Sequence, residues 1–487
     1  MDHPAPDIRS FDAVKALAFI GDLSMGQPTD HSLRTAWLAL QLADAAGFDD
    51  DSRHAVAEAS LLRWSGCTAN ASGFAQVLGD DVGGREAMLA AQPGWAAPLD
   101  AHGGIEVAVT PLVQIHCEVS GEVASMLKLA PGTELALRHI FETFDGHGLP
   151  GHLDHDAIPA PVPVIALAGD LEIFHRTYGL ERALSVIAQR ADARYPKALA
   201  EPLLQMAATW LSQLDRLSPA QLDDALLTPA MRETAAPELI ADVIDLKLPW
   251  MTGYSRSCAA TAAACCERLG VGTEIRNRVY LAALVHGLGR AAVPNVIWNT
   301  PGSLSSSSWE KLRLVPYWAS RAGKQSSALE RASELASYAY ERLDGSGYFR
   351  GLGNQAIGLE ARVITASLAW VALRSARPWR AAFSPAAATA LLREEAGQGR
   401  FDVDVVEALV SSSPQQGQRY RVSDIRLSSR EMDVLRSISR GASNKEAARE
   451  LALSPSTVGT HVESIFRKLG CTTRAAATLK GASLGFL

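Results

Sequence analysis

The chain has 487 residues, 47% hydrophobic and 20% charged, with 38 Gly, 24 Pro and 6 Cys. At roughly 100–200 residues per domain this predicts two to four domains, and the balance excludes collagen-like, wholly disordered and disulfide-framework proteins. No apolar run reaches the ~18–20 residues of a membrane span, the opening Met1-Asp2-His3-Pro4 lacks a secretory pattern, and cysteines without a Cys-x-x-Cys pair point to reduced thiols, so a cytoplasmic protein with no membrane partner is expected.

The net charge of −7 is unevenly placed: residues 421–487 carry +5, leaving −12 on residues 1–420. An acidic body with a basic tail is the asymmetry expected when one small domain meets a polyanion. Along the chain, apolar residues recur at helical spacing, for example over 32–46, 257–269 and 329–343, and β-type alternation is scarce, which predicts an all-α protein. The reading divides the chain into a first helical domain (1–216), a linker (217–236, its 219–227 part possibly helical), a second helical domain (237–410), a polar linker (411–426) and a tail domain (427–487). Phe144-Asp145-Gly146-His147-Gly148-Leu149-Pro150 in the first half matches Leu343-Asp344-Gly345-Ser346-Gly347-Tyr348-Phe349 in the second, and an apolar helix follows each. A repeat of ~170–200 residues indicates duplicated domains, not a solenoid.

The tail carries its helix boundaries openly. Ser428 with Glu431, and Ser443 with Glu446, form capping boxes, and Ser454 precedes Pro455 at a third helix start. Val458, Val462, Ile465, Phe466 and Leu469 make one buried stripe, leaving Thr457, Thr460, His461 and Ser464 outward. Two short helices joined by a tight turn, the second with a polar face, fit the major groove of double-stranded DNA. Thr457, Val458, Gly459, Thr460 and His461 are then the residues at or near the bases, while Lys445, Arg467 and Lys468 approach phosphates. The bland alternative is a small helical interaction module with a solvated face. The segment 427–487 closely resembles the LuxR-type DNA-binding domain through Leu427-Ser428-Ser429-Arg430-Glu431, Gly441–Ala448, Ser454–Val462 and Lys468-Leu469-Gly470. The resemblance implies a four-helix helix-turn-helix fold and a homodimer on paired half-sites. Gly459 departs from the Lys or Arg usual there, which removes a contact and helix propensity.

In the second half, Leu284-Val285-His286-Gly287-Leu288-Gly289-Arg290, Asn299-Thr300-Pro301-Gly302-Ser303-Leu304, and Glu341–Tyr348 resemble the HD-GYP family of cyclic-dinucleotide phosphodiesterases. The first half resembles it more faintly through His31, Ser32, Arg34, His116, the Asp145–Pro150 loop and Asp170. The resemblance implies two tandem HD-GYP-like domains and a metal cluster that makes a hydroxide and clamps phosphate. Carried over by position, His31, His116 and Asp170 remain in the first half, where Arg63-Trp64 and Ile140-Phe141 replace other ligands. In the second only His286 remains, with Tyr254, Gly287, Val315, Ala339-Tyr340 and Leu368 at the other positions. The expectation drawn is a body that is not an enzyme and has no cofactor, with His31, His116 and Asp170 as vestigial metal positions and Arg63 pairing with Asp170. The family's substrate positions imply that His286, Arg290, Arg342, Asp344 and Tyr348 could hold a small-molecule or nucleotide ligand. The whole chain is then a DNA-binding regulator whose body senses that ligand or dimerises. The alternative is an active metal-dependent cyclic-dinucleotide phosphodiesterase fused to a DNA-binding domain. The polar loop holding Asp145, His147, His152, Asp154, His155 and Asp156 reads as a solvated turn before it reads as a metal site.

Overall fold

Asp49 shows how local chemistry sets the helices: its carboxylate accepts the Ser52 N–H at 2.9 Å. Asp50 and Asp51 add negative charge to the first turn, where the helix dipole favours it. A computed structural model describes residues 7–411 and 425–487 of the chain. Among the described residues the protein is helical throughout, with strands of only two residues, and no helix is long and apolar enough to cross a membrane. The linker expected over 411–426 lies, apart from its ends, outside the described residues.

The described residues form two compact units, one of residues 9–235 and one of residues 7–8, 236–411 and 425–487. In the first, helix Ser10–Ser24 is buried on every side, as expected of a helix at the centre of a core. Even Lys15 lies inside, its ammonium paired with Asp223 at 2.6 Å. Around it pack helices His31–Ala45 and Asp50–Leu62, with Pro161–Tyr178 against both of these. The segment read as a linker is partly helical: Pro219–Leu226 opens on a Ser218–Gln221 capping box.

The second unit is built on helices Glu238–Asp245, Tyr254–Arg268, Thr273–Val285 and Leu359–Arg374. Its small buried residues, Cys258, Ala259, Ala262, Cys265 and Cys266, let the helices approach closely. The tail domain belongs to this unit. Its four helices are Ser429–Ser439, Asn444–Leu451, Pro455–Leu469 and Arg474–Ser483. Both capping boxes form, and Gly470 ends the third helix in the left-handed region at φ 62°.

Candidate functional site

In the first unit Asp22, at the end of its helix, meets the first turn of helix His31–Ala45. Its carboxylate accepts the Ser32 N–H at 3.1 Å and the Ser32 hydroxyl at 2.6 Å. Burial pushes this carboxyl up to about 7 despite those bonds and the nearby Arg63. Arg63 caps helix Asp50–Leu62 and turns inward, where Nη2 donates to His31 Nε2 at 3.1 Å. The guanidinium also lies 4.1 Å from the Trp64 ring. It fits because helix Pro161–Tyr178 presents Gly169, where a Cβ would come within 1.9 Å of Arg63 Nη1. His116 donates through Nε2 to the Arg63 carbonyl at 2.8 Å, and burial holds its imidazole down at about 3.

The expected Arg63–Asp170 pair is not what forms. Asp170 is held by Arg190 at 2.9 Å and Arg194 at 3.1 Å, while Arg63 spends its N–H groups on His31 and the Ile165 carbonyl. The end of helix Leu180–Arg190 and the turn after it supply Asp170 with its two cations, which sequence order alone does not reveal.

The second unit repeats this wiring with different residues. Asp245 accepts the Ser255 N–H at 2.8 Å and hydroxyl at 2.7 Å, as Asp22 does with Ser32. A guanidinium again occupies the centre, but it comes from Arg290. Its Nη1 donates to Asp245 at 2.7 Å and its Nη2 to His286 Nε2 at 2.7 Å, while His286 Nδ1 donates to the Ala283 carbonyl at 2.6 Å. Burial, then Arg290, holds the His286 imidazole down at about 3. The repeated loops are anchored alike: Glu142 accepts the N–H groups of Gly151 and Leu153, and Glu341 those of Arg350 and Leu352. Sequence reading missed Asp22, Asp245, Glu142 and Glu341. The signal was present as a fixed offset, since each Asp lies ten residues before its Ser and each Glu nine before its first partner.

His286 and Arg290 are therefore brought together, and both are buried. The other three expected ligand residues have different neighbours. Arg342 lies over the Phe401 ring and donates to the Glu341 carbonyl at 2.8 Å. Asp344 folds its own turn through Ser346. Tyr348 stacks on Tyr340 with ring centroids 5.1 Å apart.

A metal centre of the kind the HD-GYP resemblance implies needs imidazole lone pairs and carboxylates converging on one point. Among the described residues no three His, Cys, Asp or Glu converge in that way. The lone pairs of His31 and His286 that would face a metal accept guanidinium N–H groups instead. The residues present do not fit a metal pair. Asp145 likewise serves its own turn, accepting from Thr143 at 2.7 Å and the His147 N–H at 3.1 Å.

In the tail domain the third helix keeps an open face. Thr457, Thr460, Lys445 and Arg467 are exposed, and His461 is partly so. Two expected contact residues differ. Val458 is wholly buried in the domain core, and the Lys468 ammonium is committed to Glu431 at 2.6 and 2.7 Å. Helix Arg474–Ser483, on another side of the domain, packs against Glu238–Asp245 of the body. The Thr252 hydroxyl donates to the Ser439 carbonyl at 2.8 Å, and Gly441 (φ 92°) sits so close that a Cβ would meet Pro249 at 3.0 Å. Asp245 lines the cleft between these parts, with Thr252, Thr478, Leu479 and Ala482. The strap 246–253 thus touches the tail domain in its middle, while the residues at its two ends, Asp245 and Tyr254, meet Arg290.

Comparison with known proteins fits this architecture. The model of the HD domain matches residues 238–405, and that of the luxR family of bacterial regulatory proteins matches 426–480. The chain carries an HD domain joined to a C-terminal LuxR-type helix-turn-helix domain. Over 77% of its length it is 25% identical to 3'3'-cGAMP-specific phosphodiesterase 3 of Vibrio cholerae, covering 88% of that protein. A crystal structure of a cyclic GMP-AMP-specific phosphodiesterase of V. cholerae shares the fold, with TM-score 0.60 and 23% identity, over 83% of this chain and 97% of that one. The tail is 47% identical, over 53 residues, to a nitrate/nitrite response regulator homologue of Haemophilus influenzae; this is 11% of the chain and 26% of that protein.

These relatives correct one expectation. The expectation that the chain is not an enzyme rests on counting replaced ligand positions in short motifs, whereas the protein it resembles over 410 residues is a phosphodiesterase. Substituted ligands describe one way of holding a metal and do not define the class of the fold.

Proposed function

We propose that the chain is a DNA-binding transcriptional regulator whose body is of the cyclic-dinucleotide phosphodiesterase type. The observation that carries the reading is the 410-residue similarity to a 3'3'-cGAMP-specific phosphodiesterase in a chain that also bears a LuxR-type domain. Physically, the tail offers short polar side chains on an exposed helix for the groove, with Lys445 and Arg467 for phosphates. A second reading is favoured by the strap that links Arg290 to the tail domain: the dinucleotide acts as an effector of DNA binding. The regulator then binds as a homodimer, since paired half-sites multiply the affinity of one small domain.

The test combines two assays on the full chain. Promoter fragments should be retarded, with affinity falling steeply as salt rises. In parallel, 3'3'-cGAMP and cyclic di-GMP are incubated with the protein with and without Mn²⁺, and linear product is followed by chromatography. Retardation together with conversion of a cyclic dinucleotide supports the first reading. Failure to retard any fragment at low salt removes the regulator, and failure to convert either dinucleotide removes the phosphodiesterase. The effector reading stands or falls on whether added dinucleotide changes the retardation.

A further inference from the structure

Three segments of the first unit bring sulfur and nitrogen donors together. Met25 caps the end of helix Ser10–Ser24. Cys67 lies in the turn that follows helix Asp50–Leu62, and His116 lies within helix Gly104–Met126. The Cys67 thiol meets Met25 Sδ at 3.2 Å and His116 Nδ1 at 3.6 Å. Two glycines allow this approach. A Cβ at Gly66 would run into the His116 carbonyl, and one at Gly21 would meet Trp64 Cβ at 2.6 Å. All three donor residues are buried, and Cys67 is not part of a disulfide.

The imidazole is prepared for a metal. Its Nε2 donates to the Arg63 carbonyl at 2.8 Å. A carbonyl can only accept, so the tautomer is fixed and Nδ1 presents its lone pair to the thiol. Burial keeps the ring neutral at physiological pH. Thiolate, thioether and imidazole form a soft set, which suits cuprous ion better than the hard divalent cations. Charge favours the same ion. Arg63 and Arg85 are buried here, the latter donating to the Cys67 carbonyl at 3.0 Å. A divalent ion would add charge beside two guanidiniums, whereas a cuprous ion that replaces the thiol proton adds none. Donors each ~2.0–2.3 Å from one ion sit ~3.5–4 Å from each other, so the separations here need only a slight opening. Trp64, Leu89 and Phe141 wrap the cluster in apolar surface, and Met88 adds a partly buried thioether against it.

We propose that Met25, Cys67 and His116 form a copper(I) site in the first unit. As the sulfur–copper bond forms, the thiol proton passes to solvent and the metal keeps its oxidation state. The set shares only His116 with the cluster that the HD-GYP resemblance implies, and its other donors are sulfur. The bonds that Arg63 makes to His31 and the Ile165 carbonyl do not involve these sulfurs, so copper is an added ligand and not a condition of folding.

Anaerobic competition between the full chain and the chromophoric chelator bicinchoninate, with Cu(I) as the probe, tests it. Wild type should take one equivalent of copper from the chelator, and X-ray absorption at the copper edge should show sulfur together with nitrogen ligands. Cys67→Ser should weaken binding by at least about 100-fold, more than the ~10–100-fold typical of losing an outer partner alone. Met25→Leu, which keeps the volume and removes the sulfur, should weaken it by roughly 10-fold, a thioether being the weaker ligand. Cys266→Ala, in the second unit, should leave it unchanged. Thermal melts check that each variant is folded. If wild type leaves the copper with the chelator, or if an equal concentration of Zn²⁺ displaces it, the assignment falls. It falls equally if Met25→Leu and a folded Cys67→Ser retain copper as wild type does. A sulfur-only spectrum would place the copper on other thiols and overturn the site.

Discussion

Gly169 exists to make room for a side chain from another helix. A methyl there would collide with the Arg63 guanidinium, which is buried and held by His31 and the Ile165 carbonyl. Gly169→Ala should therefore destabilise the first unit by about 1–3 kcal/mol, the usual cost of overpacking, visible as a lower melting temperature; an unchanged melt would show that Arg63 is not held there. Gly459 is the reverse case. A Cβ at that position meets nothing closer than Asn444 Nδ2 at 3.8 Å, so the helix accepts a longer residue. Gly459→Lys should tighten DNA binding and steepen its salt dependence by about one charge, measured by titration at several salt concentrations. A salt slope equal to wild type would place residue 459 away from the phosphates. Single residues were also where the sequence was least legible. Arg290 was expected to hold a ligand, but it pairs with Asp245, 45 positions away, and no local spacing announces such a pair.

At the scale of elements, legibility depended on how local the physics is. The tail helices were readable because capping boxes and a single apolar stripe are encoded within a turn or two; both boxes formed, and of the stripe all but Phe466, which is half-buried, lies in the core. The body helices were readable as helices, yet the sources of their central guanidiniums were not, because one comes from a helix C-cap and the other from a short turn. Glu431 joins these levels, since it closes the first capping box and also receives Lys468 and Ser464 from the third helix. Although burial acts to raise it, those bonds hold its carboxyl down at about 2, below the ordinary 4.5. A depressed acid contributes stability above its unfolded pKa and loses it as pH falls through the folded value. The tail domain should therefore lose stability between about pH 4.5 and pH 2, and Glu431→Gln should be less stable at neutral pH with a flatter profile over that window. Thermal melts across pH check this; parallel profiles for the two proteins would refute it.

For the whole molecule the decisive arrangement is the seat of the DNA-binding domain on the body. The Thr252 hydroxyl and the Pro249–Gly441 contact fix it, and the strap that provides both also faces the arginine centre. If the dinucleotide and DNA prefer different positions of that strap, each must change the affinity of the other by the same factor. The expected outcome is a dinucleotide dissociation constant that differs with and without operator DNA, and a smaller difference in Thr252→Val, where one hydrogen bond of the seat is lost. Equal constants in wild type would show that the strap transmits nothing. The LuxR-type tail was legible in the sequence, but this seat was not, because it joins Thr252 to a carbonyl 187 residues later.

The guanidiniums at the two centres also set the molecule's dependence on its surroundings. Iron or manganese held by imidazoles can be stripped by a chelator, exchanged for zinc or oxidised, so such a core follows the nutritional state of the cell. Arg63 and Arg290 are covalent parts of the chain and keep their charge across the physiological pH range. Both cores should then fold and hold their shape equally well in metal-starved and metal-replete cells.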